Sequence, residues 1–198
     1  MTALREKTGW IFDLDGTLTR AIHDFDHIRS ELGISAGQDI LHALSVMPLE
    51  RQKTALARLD ELEHHYAAQT QPAPGVTECL ELLHQRGCQL GILTRNRRDL
   101  AILSLEAIGL DRFFSEEVIL GRDEATPKPS PEGIHQLLDK WHTPPQHAVM
   151  VGDFHYDLLC GRAAGVFTVH VCTEQRAWPE ATDLKVASLA ELTQLLLR

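Results

Sequence analysis

Short apolar runs alternate with longer amphipathic stretches along this 198-residue chain. Trp10-Ile11-Phe12 is the first run, followed by Gln89 to Thr94, Glu117 to Leu120, Ala148 to Val151 and Thr168 to Cys172. Lys185-Val186-Ala187 adds a short sixth. Runs of this length between turn residues predict buried strands. Between them, apolar residues recur at spacings of three and four, the period of a helix with one buried face. Val76, Leu80 and Leu83 predict one helix, stopped by Gly87. Leu100, Leu103 and Ala107 predict a second, stopped by Gly109. Ile134, Leu137, Leu138 and Trp141 predict a third, opened by Ser130-Pro131-Glu132. Such alternation predicts an α/β fold, a Rossmann-like three-layer parallel sheet covered by helices on both faces.

One stretch breaks the rhythm. From Leu18 to Pro74 the pattern is helical throughout, most clearly where Ala55, Leu59, Leu62 and Tyr66 share a face ahead of the breaker Pro72-Ala73-Pro74-Gly75. The expected organisation is therefore a core of residues 1–17 and 75–198 carrying an all-helical insertion, 18–74. Length agrees, since at roughly 150 residues per domain the chain holds one domain and a sizeable addition.

Composition narrows the partners. Hydrophobic residues make up 43% and charged residues 24%, as in an ordinary globular protein. Nineteen Lys and Arg against 28 Asp and Glu leave a formal charge of −9, with no basic block. That argues against nucleic acid or an anionic membrane as the main partner. No apolar run approaches the roughly 18 residues that span a bilayer, and the polar start leads into carboxylates, unlike a signal peptide. Cys79, Cys88, Cys160 and Cys172 show no CxxC spacing. They read as reduced thiols, which makes the cytoplasm the expected compartment. A monomer or weak homodimer is the expected state.

Polar residues gather where the strands end. The first strand ends in Asp13-Leu14-Asp15-Gly16-Thr17 and the second in Thr94-Arg95-Asn96. Thr126-Pro127-Lys128-Pro129-Ser130-Pro131-Glu132 follows the third, and Gly152-Asp153-Phe154-His155-Tyr156-Asp157 closes the fourth. In a parallel sheet these loops open on one edge, where ligands bind. Asp13, Asp15 and Asp153 would repel one another there, a strain that a hard cation such as Mg²⁺ relieves. Lys128 and the Thr94 hydroxyl would meet phosphate oxygens, and Gly16 would turn backbone N–H groups inward. Positioning and charge neutralisation of this kind suit phosphoryl transfer.

These four segments, DLDGT at 13–17, ILT at 92–94, PKPSPEG at 127–133 and GDFHYD at 152–157, resemble in order the four motifs of the haloacid dehalogenase superfamily. The likeness covers essentially the whole chain, including the insertion at the place of the family's cap, and is nearest to its phosphoglycolate phosphatase-like members. It implies Asp13 as the nucleophile forming an aspartyl-phosphate, and Asp15 as the acid and base. Thr94 and the backbone after it would hold the phosphoryl group, and Lys128 would neutralise it. Asp13, the carbonyl of Asp15 and Asp153 would ligate Mg²⁺, with Asp157 supporting. Asp at 15 selects phosphate-ester chemistry, because the family's dehalogenases lack it and its transport ATPases carry Thr there. Gly16, Thr17, Thr94, Asn96 and Lys128 are the expected phosphate contacts. Arg95 stands where many members have Asn, and Phe154 where a small residue is common.

Arg95, Arg97 and Arg98 oppose the dipole of the helix they precede. Arg95 is therefore expected to bind an anionic part of the substrate, the alternative being a solvated patch balanced by Asp99. Arg20, His23 and Phe25, where the chain leaves the core, are candidates for substrate contact. The insertion holds five Lys and Arg against eight Asp and Glu, so it offers no second polyanion site. The expected activity is Mg²⁺-dependent hydrolysis of a small phosphorylated metabolite, a phosphorylated carboxylic acid or sugar. A phosphomutase or phosphonate hydrolase on the same scaffold is one alternative. A receiver-like phospho-acceptor module without turnover is another.

Overall fold

In the computed structural model, which describes residues 2–22, 24–173 and 177–198, the chain forms a parallel six-stranded sheet. The strands are β1 (Gly9–Phe12), β2 (Gln89–Leu93), β3 (Ile119–Leu120), β4 (Ala148–Gly152), β5 (Phe167–Val171) and β6 (Leu184–Val186). Their order is β3-β2-β1-β4-β5-β6, so β1 lies inside, with Phe12 in register with both Ile92 and Val151. Every residue of β1 and β4 is buried, as in a sheet covered on both faces. The cover comes from α5 (Val76–Gln85), α6 (Arg98–Ala107), α7 (Glu132–Trp141), α8 (His155–Ala163) and α9 (Leu189–Leu197), while a short α1 (Thr2–Arg5) precedes β1. None of the described helices is long and apolar enough to cross a membrane.

Three sequence readings change. The third strand is two residues long, because Glu117 and Val118 belong to a 3₁₀ turn closed by the Val118 N–H donating to the Ser115 carbonyl. As an edge strand it pairs, among the described strands, with β2 alone. The fifth and sixth strands each begin one residue earlier than expected and end one earlier. In α6 the buried face is Leu100, Ala101, Ser104 and Leu105, whereas Leu103 and Ala107 are exposed. Inward-facing Ser104, within reach of the Thr70 hydroxyl at 3.5 Å, disguised that face.

Between β1 and α5 lie α2 (Phe25–Leu32), α3 (Ile40–Ser45) and α4 (Leu49–Ala67). Asp24 caps α2 and Asp39 caps α3, each carboxylate accepting an N–H three residues on at 2.9 Å. Ile28, Leu32, Leu44, Ala55, Leu59 and Leu62 meet in a cluster separate from the main core. The chain leaves and returns along one path, with the Arg20 N–H donating to the Gln71 carbonyl and the Ala73 N–H to the Leu18 carbonyl, both at 2.9 Å.

Ile11 is fully buried at the centre of the sheet. Ile11→Ala is expected to lower the unfolding free energy by about 2–5 kcal/mol, read from urea midpoints; a loss too small to measure would contradict packing on both faces.

Candidate active site

The four polar loops converge at the carboxyl edge of the sheet. β1 carries Asp13 to its end, and the Asp13 N–H still donates to the Val151 carbonyl of the neighbouring strand at 2.9 Å. The carboxylate is thus fixed by the ladder itself. Lys128, buried on the loop after β3, places its Nζ 2.5 Å from Asp13 Oδ1 and 2.6 Å from Asp157 Oδ1. The Thr17 hydroxyl donates to Asp13 Oδ2 at 3.3 Å. Asp157, in the first turn of α8, accepts the Phe154 N–H on Oδ2 at 3.0 Å and so caps the helix while holding the lysine.

Two glycines permit this crowding. Gly16 has φ +94°, and a Cβ there would lie 2.5 Å from Asp153 Oδ2. A Cβ on Gly152 would lie 2.3 Å from the Asp157 Cβ. Any side chain at either position would push the carboxylates apart.

Charge is out of balance at the centre. Asp13, Asp153 and Asp157 offer carboxylate oxygens within 4.8 Å of one another, and one lysine faces them. Burial, with the neighbouring Asp157 and Asp15 and against the pull of Lys128, pushes the Asp13 carboxyl up to about 7. Burial followed by Asp13 and Asp157 pushes Asp153 up to about 8. Burial would lower the Lys128 ammonium, but Asp13 and Asp157 outweigh it and keep the charge in place. Buried oxygen donors that repel one another fit a hard divalent cation, since it supplies the missing positive charge. Asp15 stands beside this cluster. Burial raises it to about 6, against the lowering effects of Lys128 and of a hydrogen bond from Asn96.

Thr94 and Asn96 are buried at the end of β2, where the Asn96 N–H donates to the Thr94 hydroxyl oxygen at 3.0 Å. The Arg97 N–H donates to Asn96 Oδ1 at 2.8 Å and opens α6. A cavity of about 240 Å³ joins Asp13, Asp15, Thr94, Asn96, Lys128 and Asp153. Its outer wall includes Phe25, Arg95, Phe154 and Tyr156. Gly16 and Thr17 stand behind the carboxylates instead of on that wall.

The arginines differ from the solvated patch balanced by Asp99. Only Arg97 meets Asp99, at 2.7 Å, and it also reaches Asp60 of α4 at 2.5 Å. Arg95 reaches Asp39, the cap of α3, at 2.6 Å, while Arg98 donates to the Ile119 carbonyl at 2.8 Å. Arg122, after β3, grips Glu63 of α4 through two hydrogen bonds of 2.7 and 3.1 Å. Three core arginines thus bind three carboxylates of the inserted helices. Arg20 is exposed and does not line the cavity, because its backbone bond to Gln71 carries it along the connection instead. His23 lies outside the described residues. Sequence reading missed Asp39, Glu63 and Tyr156 as cavity residues. Tyr156 sits inside the fourth motif and could have been found there, whereas Asp39 and Glu63 carry no local signal.

The family model for haloacid dehalogenase-like hydrolases matches residues 24–171. Pyrophosphatase PpaX of Bacillus pumilus is 32% identical over 203 residues, covering 92% of this chain and 93% of that protein. A haloacid dehalogenase-like hydrolase domain-containing protein of Arabidopsis thaliana is 30% identical, covering 95% of this chain and 83% of that protein. In fold, the crystal structure of a hydrolase from Pseudomonas syringae superposes with a TM-score of 0.79 at 22% identity, covering 96% of this chain and 98% of that one. The chain belongs to the haloacid dehalogenase-like hydrolases.

Proposed function

We propose that this chain is a Mg²⁺-dependent phosphatase acting on a small phosphomonoester through a phosphorylated Asp13. The observation that carries this reading is the Asp13 carboxylate held at the end of β1 by Lys128, with Asp153 and Asp157 close enough to share a cation. Asp13, Asp153 and Asp157, with the backbone carbonyl of Asp15, would hold Mg²⁺. Bound there, the ion neutralises charge on the carboxylates and on the transferring phosphoryl group.

In the first step an Asp13 oxygen attacks phosphorus, and the bond to the leaving oxygen breaks on the opposite side. Lys128 balances negative charge on the nucleophile and on the phosphoryl oxygens. The Thr94 hydroxyl and the loop N–H groups near Asn96 orient those oxygens. Asp15 gives its proton to the departing alkoxide, a role suited to a carboxyl raised to about 6. In the second step Asp15 takes a proton from water, the water oxygen attacks phosphorus, and Asp13 is released with inorganic phosphate.

Residues 18–74 act as the cap in this proposal. Their ion pairs with Arg95, Arg97 and Arg122 hold them over the site, where they exclude bulk water. Lys53, the lysine of that segment, pairs with Glu50 on an exposed face and does not line the cavity. That disfavours an imine-forming phosphonate hydrolase. Four free cysteines suit a reducing compartment, and we place the enzyme in the cytoplasm.

Asp13→Asn is expected to lower steady turnover of p-nitrophenyl phosphate by about 10³-fold or more, and acid-quenched wild type to carry one phosphoryl group by mass spectrometry. Wild type that is phosphorylated once and never turns over would support a phospho-acceptor module instead. Asp15→Asn should reduce kcat by about 10²-fold or more for an alkyl phosphate, and by less for p-nitrophenyl phosphate, whose leaving group needs no proton. Equal losses on both would remove Asp15 from the acid role. Asp153→Asn should weaken Mg²⁺ binding by about tenfold or more in calorimetric titration; unchanged affinity would place the ion elsewhere.

A further inference from the structure

Away from the carboxylates, the cavity wall becomes apolar. Ile28 of α2, Ile40 and Leu41 of α3, and Leu59 of α4 face it from the inserted helices. Phe25 and Phe154, 53% and 42% exposed, contribute aromatic surface to the same wall. Phe154 is braced edge-on by the Tyr156 ring at 5.2 Å and the Trp178 ring at 5.6 Å. The whole space, about 240 Å³, lies below the roughly 300–1,000 Å³ of pockets for drug-sized ligands.

Among the described residues, the charged groups on this wall away from the carboxylate cluster are already matched. Arg29 pairs with Asp26 at 2.8 Å, and Glu63 pairs with Arg122. Among the described residues Arg95 is the cation best placed to meet a second anion, but Asp39 holds it at 2.6 Å and its guanidinium carbon sits over the Tyr156 ring, 4.7 Å from the centroid. Burial works against ionisation of Asp39. Even so, hydrogen bonds from the His42 N–H, Arg95 and the Tyr156 hydroxyl hold its carboxyl below the usual range, so it stays charged. A carboxylate or second phosphate entering here would lose its water and find Arg95 neutralised, with the Asp39 and Glu63 carboxylates behind it. An uncharged group would lose little water and gain contact with the apolar wall.

Resting on the phosphatase reading above, we infer that the site selects phosphomonoesters whose leaving group is uncharged and apolar on one face. Asp39 enforces the choice by cancelling Arg95. This replaces the expectation that Arg95 binds an anionic part of the substrate. It also separates this chain's preference from the pyrophosphate chemistry in the name of the Bacillus pumilus relative.

The test compares kcat/KM for benzyl phosphate, phosphoglycolate and pyrophosphate at saturating Mg²⁺, in wild type and in Asp39→Asn; benzyl phosphate and phosphoglycolate both lose an alkoxide, so their ratio reports the wall. Asparagine keeps the cap of α3 while removing the charge. Wild type should favour benzyl phosphate over both anionic substrates by about tenfold or more. In Asp39→Asn the ratio for phosphoglycolate over benzyl phosphate should rise by about fivefold or more, as Arg95 becomes free to pair with the carboxylate. A merely structural loss would lower both rates and leave the ratio unmoved. Wild type that prefers either anionic substrate overturns the inference, and so does an unmoved ratio in a folded variant. If the variant does not fold, the wild-type preference decides alone. Absence of turnover on all three is a separate failure, which overturns the phosphatase reading and the inference with it.

Discussion

Lys128 is buried, and its ammonium is shared between Asp13 and Asp157 at 2.5 and 2.6 Å. The rest of the site depends on that arrangement. Taking a lysine and two carboxylates out of water is costly, and apolar residues of similar size would serve stability as well or better. The cluster therefore makes sense as preparation for a ligand. It leaves the pocket with more negative than positive charge, a deficit of the kind that a bound cation would make up. Asp157 links the cluster to the backbone, because the same carboxylate that grips Lys128 also caps α8.

The sheet supplies the precision. Asp13 follows β1 directly and remains in the hydrogen-bond ladder, while Asp153 follows β4, the adjacent strand. Parallel neighbours end side by side, so two carboxylates far apart in sequence are brought together with little freedom to separate. Gly16 and Gly152 leave room for them. The carboxylate cluster thus rests on rigid elements, while much of the outer wall comes from the inserted helices.

The arginines after β2 and β3 connect these two parts. Arg95 and Arg97 precede the N-terminus of α6, where positive charge is locally unfavourable, and the compensation is tertiary. Arg95, Arg97 and Arg122 each find a carboxylate on α3, α4 or the turn before them. Arg122 and Glu63 are mostly buried, and their two hydrogen bonds make this the most sheltered of the three contacts. The pairing that joins the two parts also neutralises Arg95 beside the pocket.

Much was legible along the chain because its causes are local. Strand runs need continuous apolar residues, and DLDGT or GDFHYD places carboxylates at strand ends whatever the remaining fold does. The helices between β1 and α5 were equally readable, since no apolar run interrupts that stretch. What local pattern could not decide was pairing. The edge strand β3 gives up Glu117 and Val118 to a 3₁₀ turn, and α6 turns Ser104 inward, within 3.5 Å of the Thr70 hydroxyl. Arg95 changed from a free cation to a neutralised one because Asp39, 56 positions earlier, met it across the cavity. By itself the sequence determined which residues would stand at the carboxyl edge of a parallel sheet, through hydrophobic period and strand-end chemistry. Only the tertiary structure decided which charges cancel there, because an ion pair depends on distance in space and leaves no period in the chain.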